Sequence, residues 1–150
     1  MSIRDNIQKA ITEATKSRDR DRLECLRMAK GALLLREKEG PKEQGLTDAE
    51  AVATLRAEVK KRQQSIEVFQ QANRPDAAEK VAQEIVIIEE FLPQQLDEAA
   101  LESRVRAYAA ANPEIDHPGK LTGAMKKELG DLADGRMLND VCRRVLDATP

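Results

Sequence analysis

Thr47–Ala72, TDAEAVATLRAEVKKRQQSIEVFQQA, is the stretch that decides the fold class of this chain. Thr47 followed by Glu50 forms a capping box, which predicts the first turn of a helix. Arg62 is the one polar gap in the apolar stripe that follows, and its pairing with Glu58 is interpreted as a solvated one. The stripe recurs every three or four residues, at Val52, Leu55, Val59, Ile66 and Phe69. Only a helix brings such positions onto one face, so the stretch predicts a long α-helix.

Three further helices are predicted around this one. The first follows a second capping box, made by Ser2 and Asp5. The second ends at about Glu39. The fourth begins at Pro75, because proline suits the first turn of a helix. The four helices together predict an N-terminal bundle over residues 1–93.

Three shorter helices are predicted beyond a short linker at residues 94–96. Asp97 stands where a cap for the fifth helix belongs. The sixth helix is expected near Pro118–Leu129, and the seventh follows a break at Asp134-Gly135. Because no long stretch alternates apolar and polar residues, no strand is predicted. The chain is therefore predicted to be all-α, with a three-helix C-terminal bundle over residues 97–150.

Composition and net charge limit the kinds of partner that the chain is expected to bind. The net charge is −2 and charged residues make up 35% of the chain, so no basic field surrounds the whole molecule. No apolar run approaches the ~18 residues that a membrane span needs, and the charged N-terminus does not resemble a signal peptide. We expect a cytoplasmic protein with no membrane segment and no DNA partner. Aromatic residues are only 2%, so base stacking has little support and RNA would be recognised by backbone and shape.

No catalytic, metal or cofactor site is predicted. The glycine-rich segment Gly119–Gly135 does not match a phosphate-binding loop, because its Gly-Lys pair precedes the second glycine and no strand leads into it. His117 is the sole histidine, and we expect it to cap a helix or face solvent. Cys25 and Cys142 are far apart in sequence, which argues against zinc and favours packed, reduced thiols.

Two glycines of the predicted sixth helix receive different interpretations. Gly123 lies inside the helix, where glycine costs ~1 kcal/mol relative to alanine. We interpret it as a point of close approach for a second helix, so Gly123→Ala is expected to destabilise through overpacking. Gly119 lies at the helix start, where free backbone N–H groups attract anions, and Lys120 stands beside it.

Three stretches of the chain resemble the GatB/YqeY family. They are residues 2–37, 46–96 and 119–146, in the order found in its free-standing YqeY-like members, and the middle one is the most specific. The family's G-K-x-x-G pattern falls on Gly119, Lys120 and Gly123. Its A-D-G falls on Ala133, Asp134 and Gly135, and its asparagine on Asn139. Glu128, Asp131 and Leu132 depart from the family, because positively charged residues are common at or beside those positions in relatives.

The resemblance carries expectations about fold and function. It implies two helical bundles, of four and three helices. It also implies kinship with the tail of the GatB subunit of the tRNA-dependent amidotransferase, which contacts tRNA while the chemistry lies elsewhere. The family association is with carbon–nitrogen ligases that use glutamine as amido-N-donor. We expect a non-catalytic accessory module that binds tRNA or docks to an amidotransferase or an aminoacyl-tRNA synthetase.

The expected RNA surface lies in the C-terminal bundle. Its residues are Gly119, Lys120, Lys126, Lys127, Arg136, Asn139 and Arg143. Since Lys126 and Lys127 are adjacent on a helix, only one of them can share a face with Lys120. Two alternatives stay open. The first is a basic cluster at Arg56, Lys60 and Lys61, and the second is a protein–protein adaptor with no RNA contact.

Overall fold

The computed structural model describes residues 2–41 and 43–148, and it confirms that this part of the chain is all-α. No strand occurs in those ranges. A short 3-10 turn, Gly130–Leu132, follows the sixth helix. The α-helices, in chain order, are α1 (Ile3–Ser17), α2 (Arg20–Glu39), α3 (Asp48–Gln71), α4 (Pro75–Glu89), α5 (Glu98–Ala111), α6 (Pro118–Leu129) and α7 (Gly135–Asp147).

Side chains that cap the backbone set most of the helix starts. The predicted capping boxes are present at both α1 and α3, where the Ser2 and Thr47 hydroxyls accept from backbone N–H groups three residues ahead. Asp97 caps α5, and its carboxylate accepts from the N–H of Ala100 at 2.8 Å. Asp134 caps α7 in the same way, at 2.9 Å from the N–H of Met137. These starts are local features, which is why the sequence predicted them.

The chain divides into two units, one up to Pro93 and one from Gln94 onward. The first unit contains α1–α4, and α3 packs extensively against α4. Its interior is made of aliphatic and small side chains drawn from all four helices. The most deeply buried large residues are Ile7, Leu26, Leu33, Leu55 and Ile88.

The second unit contains α5, α6, the 3-10 turn and α7. Helix α7 packs against both α5 and α6, so the three helices enclose one apolar interior. The buried residues of this interior are Leu101, Val105, Leu121, Met125, Leu129, Leu138, Val141, Cys142 and Val145. Their spacing within each helix, mostly three or four residues, is the one expected of inward-facing positions.

Hydrogen bonds hold the segment that joins the two units. The carbonyl of Pro93 accepts from Arg56 Nη2 at 2.7 Å, within the first unit. Gln95 Nε2 donates to the carbonyl of Asp131 at 2.9 Å, and the N–H of Leu96 donates to the carbonyl of Leu132 at 2.8 Å. Residues 95 and 96, predicted as part of a linker, are thus bonded to the second unit. That the units fold independently stays a prediction.

Arg62 is buried, which corrects its interpretation as a solvent-facing gap. Its Nη1 lies 2.9 Å from Glu58 Oε2 on the same helix. Its Nε lies 3.5 Å from Glu84 Oε2 on α4, an ion pair without hydrogen-bond geometry. Although partial burial raises the pKa of Glu58, hydrogen bonds from Arg62 and Lys61 outweigh it and hold that pKa below its usual range.

Candidate nucleic-acid interface

The start of α6 has its backbone donors already satisfied. His117 caps the helix as expected, because its Nδ1 accepts from the N–H of Gly119 at 3.0 Å. The His117 carbonyl accepts from the N–H groups of Lys120 and Leu121, both at 3.1 Å. Pro118 has no N–H at all. An anion would find no free backbone donor there, so the structure gives no support to the backbone part of the predicted anion site, and the role of Lys120 stays a prediction.

Gly119 instead makes room for the histidine cap. A Cβ atom at this position would lie 3.1 Å from both Cε1 and Nδ1 of His117. That separation is tighter than an ordinary van der Waals contact, so a side chain at residue 119 would press on the capping imidazole. The glycine of the Gly-Lys pair is therefore explained by the cap.

Gly123 does not pack against another helix, and its interpretation as a packing glycine is wrong. The residue is exposed, and a Cβ atom built on it would meet nothing within 4 Å. The helix phase explains the outcome, because α6 directs Leu121, Met125 and Leu129 inward and leaves Gly123 on the outer side. Gly130 serves the turn, since its φ of 55° lies in the left-handed region that favours glycine.

A shallow depression of about 700 Å³ lies between α5 and α6. Lys120 and Lys127 both line it. They are seven residues apart, about 20° short of two full turns, so they project from the same side of the helix about 10.5 Å apart along its axis. The other residues lining this α5–α6 depression are Tyr108, Gly123, Ala124 and Glu128.

The two adjacent lysines of α6 lie on different faces. Lys127 lines the α5–α6 depression, whereas Lys126 does not. Consecutive residues are about 100° apart around a helix. Both lysines are exposed. Lys127 is therefore the partner of Lys120 on this face.

The remaining predicted residues lie on α7. Arg136, Asn139 and Arg143 are all exposed, and Arg136 and Arg143, seven residues apart, share one side of the helix. Asp140 is also on this side and reduces its positive charge. Arg144, the neighbouring arginine, faces α5, where it pairs with carboxylates of two glutamates.

Part of the alternative basic cluster on α3 already interacts with other groups of the chain. Arg56 donates to the carbonyl of Pro93. Lys61 Nζ lies 3.3 Å from Glu58 Oε1. Lys60 is exposed on the same helix. Two of the three cations of this alternative cluster therefore have partners within the chain.

Four residues of the α5–α6 depression were not among the predicted RNA-binding residues, namely Tyr108, Gly123, Ala124 and Glu128. Tyr108 and Ala124 received no role in the expected RNA surface, Gly123 was interpreted as a packing glycine, and Glu128 was noted only as a departure from the family. Tyr108 is half-buried, and its side chain packs against the interior of the second unit. No local signal connects it with the lysines, because they come from a different helix.

Metal ligation and thiol chemistry have no support in the part of the chain that the structure describes. No group of three His, Cys, Asp or Glu side chains is placed there to hold a metal ion. Cys25 and Cys142 are free and buried. Burial raises the pKa of the Cys25 thiol to about 11, so it stays protonated and unreactive. None of the helices in residues 2–41 and 43–148 is long and apolar enough to cross a membrane.

The model of the Yqey-like protein family matches residues 4–146. The chain belongs to this family. It is also similar to a protein of Schizosaccharomyces pombe named Uncharacterized protein C22F3.15. The two are 32% identical over 88 residues, which is 59% of this chain and 70% of the yeast protein.

The residues of the G-K-x-x-G pattern have three separate roles in this YqeY-like chain. Gly119 accommodates the capping imidazole of His117. Lys120 and Gly123 both line the α5–α6 depression. Lys120 contributes a positive charge, and Gly123 leaves open space because it has no side chain. Only Lys120 is thus placed to attract an anionic ligand.

Proposed function

We propose that this YqeY-like chain is a non-catalytic accessory module that binds tRNA through its second unit. The observation that carries the proposal is the pair Lys120 and Lys127, set on one side of α6 around a depression. Exposed lysines neutralise phosphates, and phosphate contacts provide most of the sequence-independent affinity for nucleic acid. The kinship between YqeY-like proteins and the amidotransferase tail supports tRNA over other nucleic acids.

The proposed binding is weak, and its salt dependence is modest because only a few phosphates are neutralised. The chain has a net charge of −2, so no global field adds to the local patch. Glu128 lines the depression beside the lysines, and Asp140 lies among the arginines of α7. Both carboxylates repel phosphate. Such a surface depends on a few phosphate contacts and acts best when a partner such as an amidotransferase or an aminoacyl-tRNA synthetase holds the same tRNA.

The test is a titration of the full chain with bulk tRNA at several salt concentrations, with duplex DNA as competitor. Lys127→Gln and Lys126→Gln form a matched pair, because the residues are adjacent, exposed and of equal charge. We expect Lys127→Gln to weaken binding and to reduce the log–log salt slope by roughly 0.7–0.9 for each phosphate that it no longer neutralises. Lys126→Gln should change both much less. Absence of tRNA binding at low salt, or equal effects of the two variants, would contradict the proposal.

A protein–protein adaptor without RNA contact is the second candidate. An exposed apolar face on α2 favours it, since Met28 and Leu35 are 55% and 62% exposed and lie seven residues apart on one side. The test is co-elution of the chain with an amidotransferase or an aminoacyl-tRNA synthetase, with and without tRNA. Loss of co-elution in Met28→Glu/Leu35→Glu, together with no tRNA binding by the parent, would favour the adaptor.

A further inference from the structure

The α5–α6 depression contains more than positive charge. Of the six residues that line it, one is aromatic and one is acidic, namely Tyr108 and Glu128. Tyr108 is the only tyrosine of the chain, and it packs against the apolar interior of the second unit. A half-buried ring held by its neighbours offers a fixed surface, so a planar ligand loses little entropy by stacking on it.

The middle of the depression is open. Gly123 and Ala124 line it between the two lysines, and a Cβ atom at residue 123 would meet nothing within 4 Å. Glycine has no side chain and alanine has only a methyl group, so the two residues leave space over the helix backbone. This space lies in the same depression as Tyr108, and bases stack on aromatic side chains.

Glu128 argues against a ligand that is only an anion. Its carboxylate lines the same depression as the lysines and repels phosphate. A carboxylate does accept hydrogen bonds from the exocyclic amino group of a base. A ligand that carries phosphates and an amino-bearing ring can pair with the lysines, donate a hydrogen bond to Glu128 and stack on Tyr108.

We infer that the α5–α6 depression binds one nucleotide, with its base against Tyr108 and its phosphates at Lys120 and Lys127. The inference rests on the proposed tRNA binding and deepens it, because it assigns an unstacked nucleotide of the RNA to a specific site. It departs from the expectation of recognition by backbone and shape alone, because one tyrosine in the depression is enough to stack a single base. Unstacked loop bases are what proteins recognise in structured RNA. Glu128 favours a base with an exocyclic amino group, such as cytosine, over uracil.

The single tyrosine permits a direct test. Full-length protein labelled with 3-fluorotyrosine has one ¹⁹F resonance, that of residue 108. The probes are bulk tRNA, cytidine 3′,5′-bisphosphate, uridine 3′,5′-bisphosphate, ribose 5-phosphate and inorganic phosphate. We expect the resonance to shift with tRNA and with the cytidine probe, less with the uridine probe, and not with the last two. Equal shifts with inorganic phosphate would overturn the base contact.

Variants separate stacking from folding. Tyr108→Phe should retain tRNA affinity, whereas Tyr108→Leu should lower it about fivefold or more through loss of stacking. Gly123→Leu should block the depression and also lower tRNA affinity, without harm to the helix, since leucine is a better helix former than glycine. Gly31→Leu is its matched control, because Gly31 is an equally open glycine on α2 of the other unit.

The outcomes distinguish this inference from the proposed function. If tRNA binds and Lys127→Gln weakens it, but the ¹⁹F resonance stays fixed and Tyr108→Leu binds normally, the nucleotide site is overturned and tRNA binding stands. If the cytidine probe shifts the resonance while tRNA does not bind, the tRNA function is overturned and the site is one for free nucleotides. If neither ligand has an effect, both proposals fail.

Discussion

At the scale of single residues, Gly123 and Gly130 differ in whether the backbone conformation requires a glycine. Gly123 has ordinary helical backbone angles and open space around it, whereas Gly130 has a φ of 55°. We expect Gly123→Ala to raise the free energy of unfolding by up to ~1 kcal/mol through helix propensity. Gly130→Ala should lower it, because alanine is strained at positive φ. Urea denaturation measures both, and a destabilised Gly123→Ala would restore the packing interpretation.

The histidine cap is the second testable feature at this scale. His117 Nδ1 accepts from Gly119 at the start of α6, so His117→Ala leaves that N–H without its side-chain partner. We expect a loss of about 0.5–2 kcal/mol in the free energy of unfolding, as for other N-cap replacements by alanine.

His117→Asn is the control, because asparagine is a good N-cap residue and should retain most of the stability. Amide exchange at Gly119, followed by NMR, provides an independent readout. It should accelerate in His117→Ala and much less in His117→Asn. Unchanged exchange in the alanine variant would show that the imidazole does not hold this amide.

At the scale of helices, the buried charge of Arg62 connects α3 to α4. The pKa of Glu58 is lowered in the folded chain, so unfolding takes up a proton when the pH falls below about 4.5, the usual glutamate value. Stability from this group is therefore present above that pH and is lost as the pH falls through the folded-state pKa. We expect an acid-induced loss of up to about 1 kcal/mol from the pair.

Arg62→Met tests this link, because methionine fills a similar apolar space without the charge. Urea unfolding at pH 7 and pH 4 should show a smaller acid-induced loss in Arg62→Met than in the parent. Lys61→Met is the comparison variant and should reduce the acid-induced loss less than Arg62→Met, since Lys61 pairs with the same Glu58 from a largely exposed position. The same acid-induced loss in the parent and in Arg62→Met would rule out Arg62 as the source.

At the scale of the whole molecule, the boundary between the units determines where the chain can be divided. Gln95 and Leu96 donate hydrogen bonds to the backbone of the second unit. A fragment of residues 94–150 should therefore fold alone and be more stable than one of residues 97–150. The two hydrogen bonds that the shorter fragment lacks correspond to about 1–3 kcal/mol.

Thermal unfolding followed by circular dichroism compares the two fragments. The longer one should show one cooperative transition at the higher temperature. Equal transition temperatures would indicate that the bonds of residues 95 and 96 contribute nothing to stability. A longer fragment without a cooperative transition would mean that the second unit needs the first in order to fold.

The sequence by itself determined the helices and where most of them begin. Capping boxes at Ser2 and Thr47, and the cap at Asp97, act over three residues, so they were recognised without a fold, whereas at Asp134-Gly135 only a break was predicted. Apolar periodicity also indicated which face of each helix is directed inward. The family resemblance and the basic residues of the C-terminal region together supplied the expected RNA residues, and those remain predictions.

Only the tertiary structure decided what surrounds each helix face. Arg62 lies where α4 covers α3, and Gly123 lies where no helix covers α6. That Tyr108 lines the same depression as Lys120 and Lys127 likewise depends on how α5 packs beside α6. The physical reason is that periodicity sets the phase of a helix about its own axis, whereas the choice of neighbour arises from long-range packing.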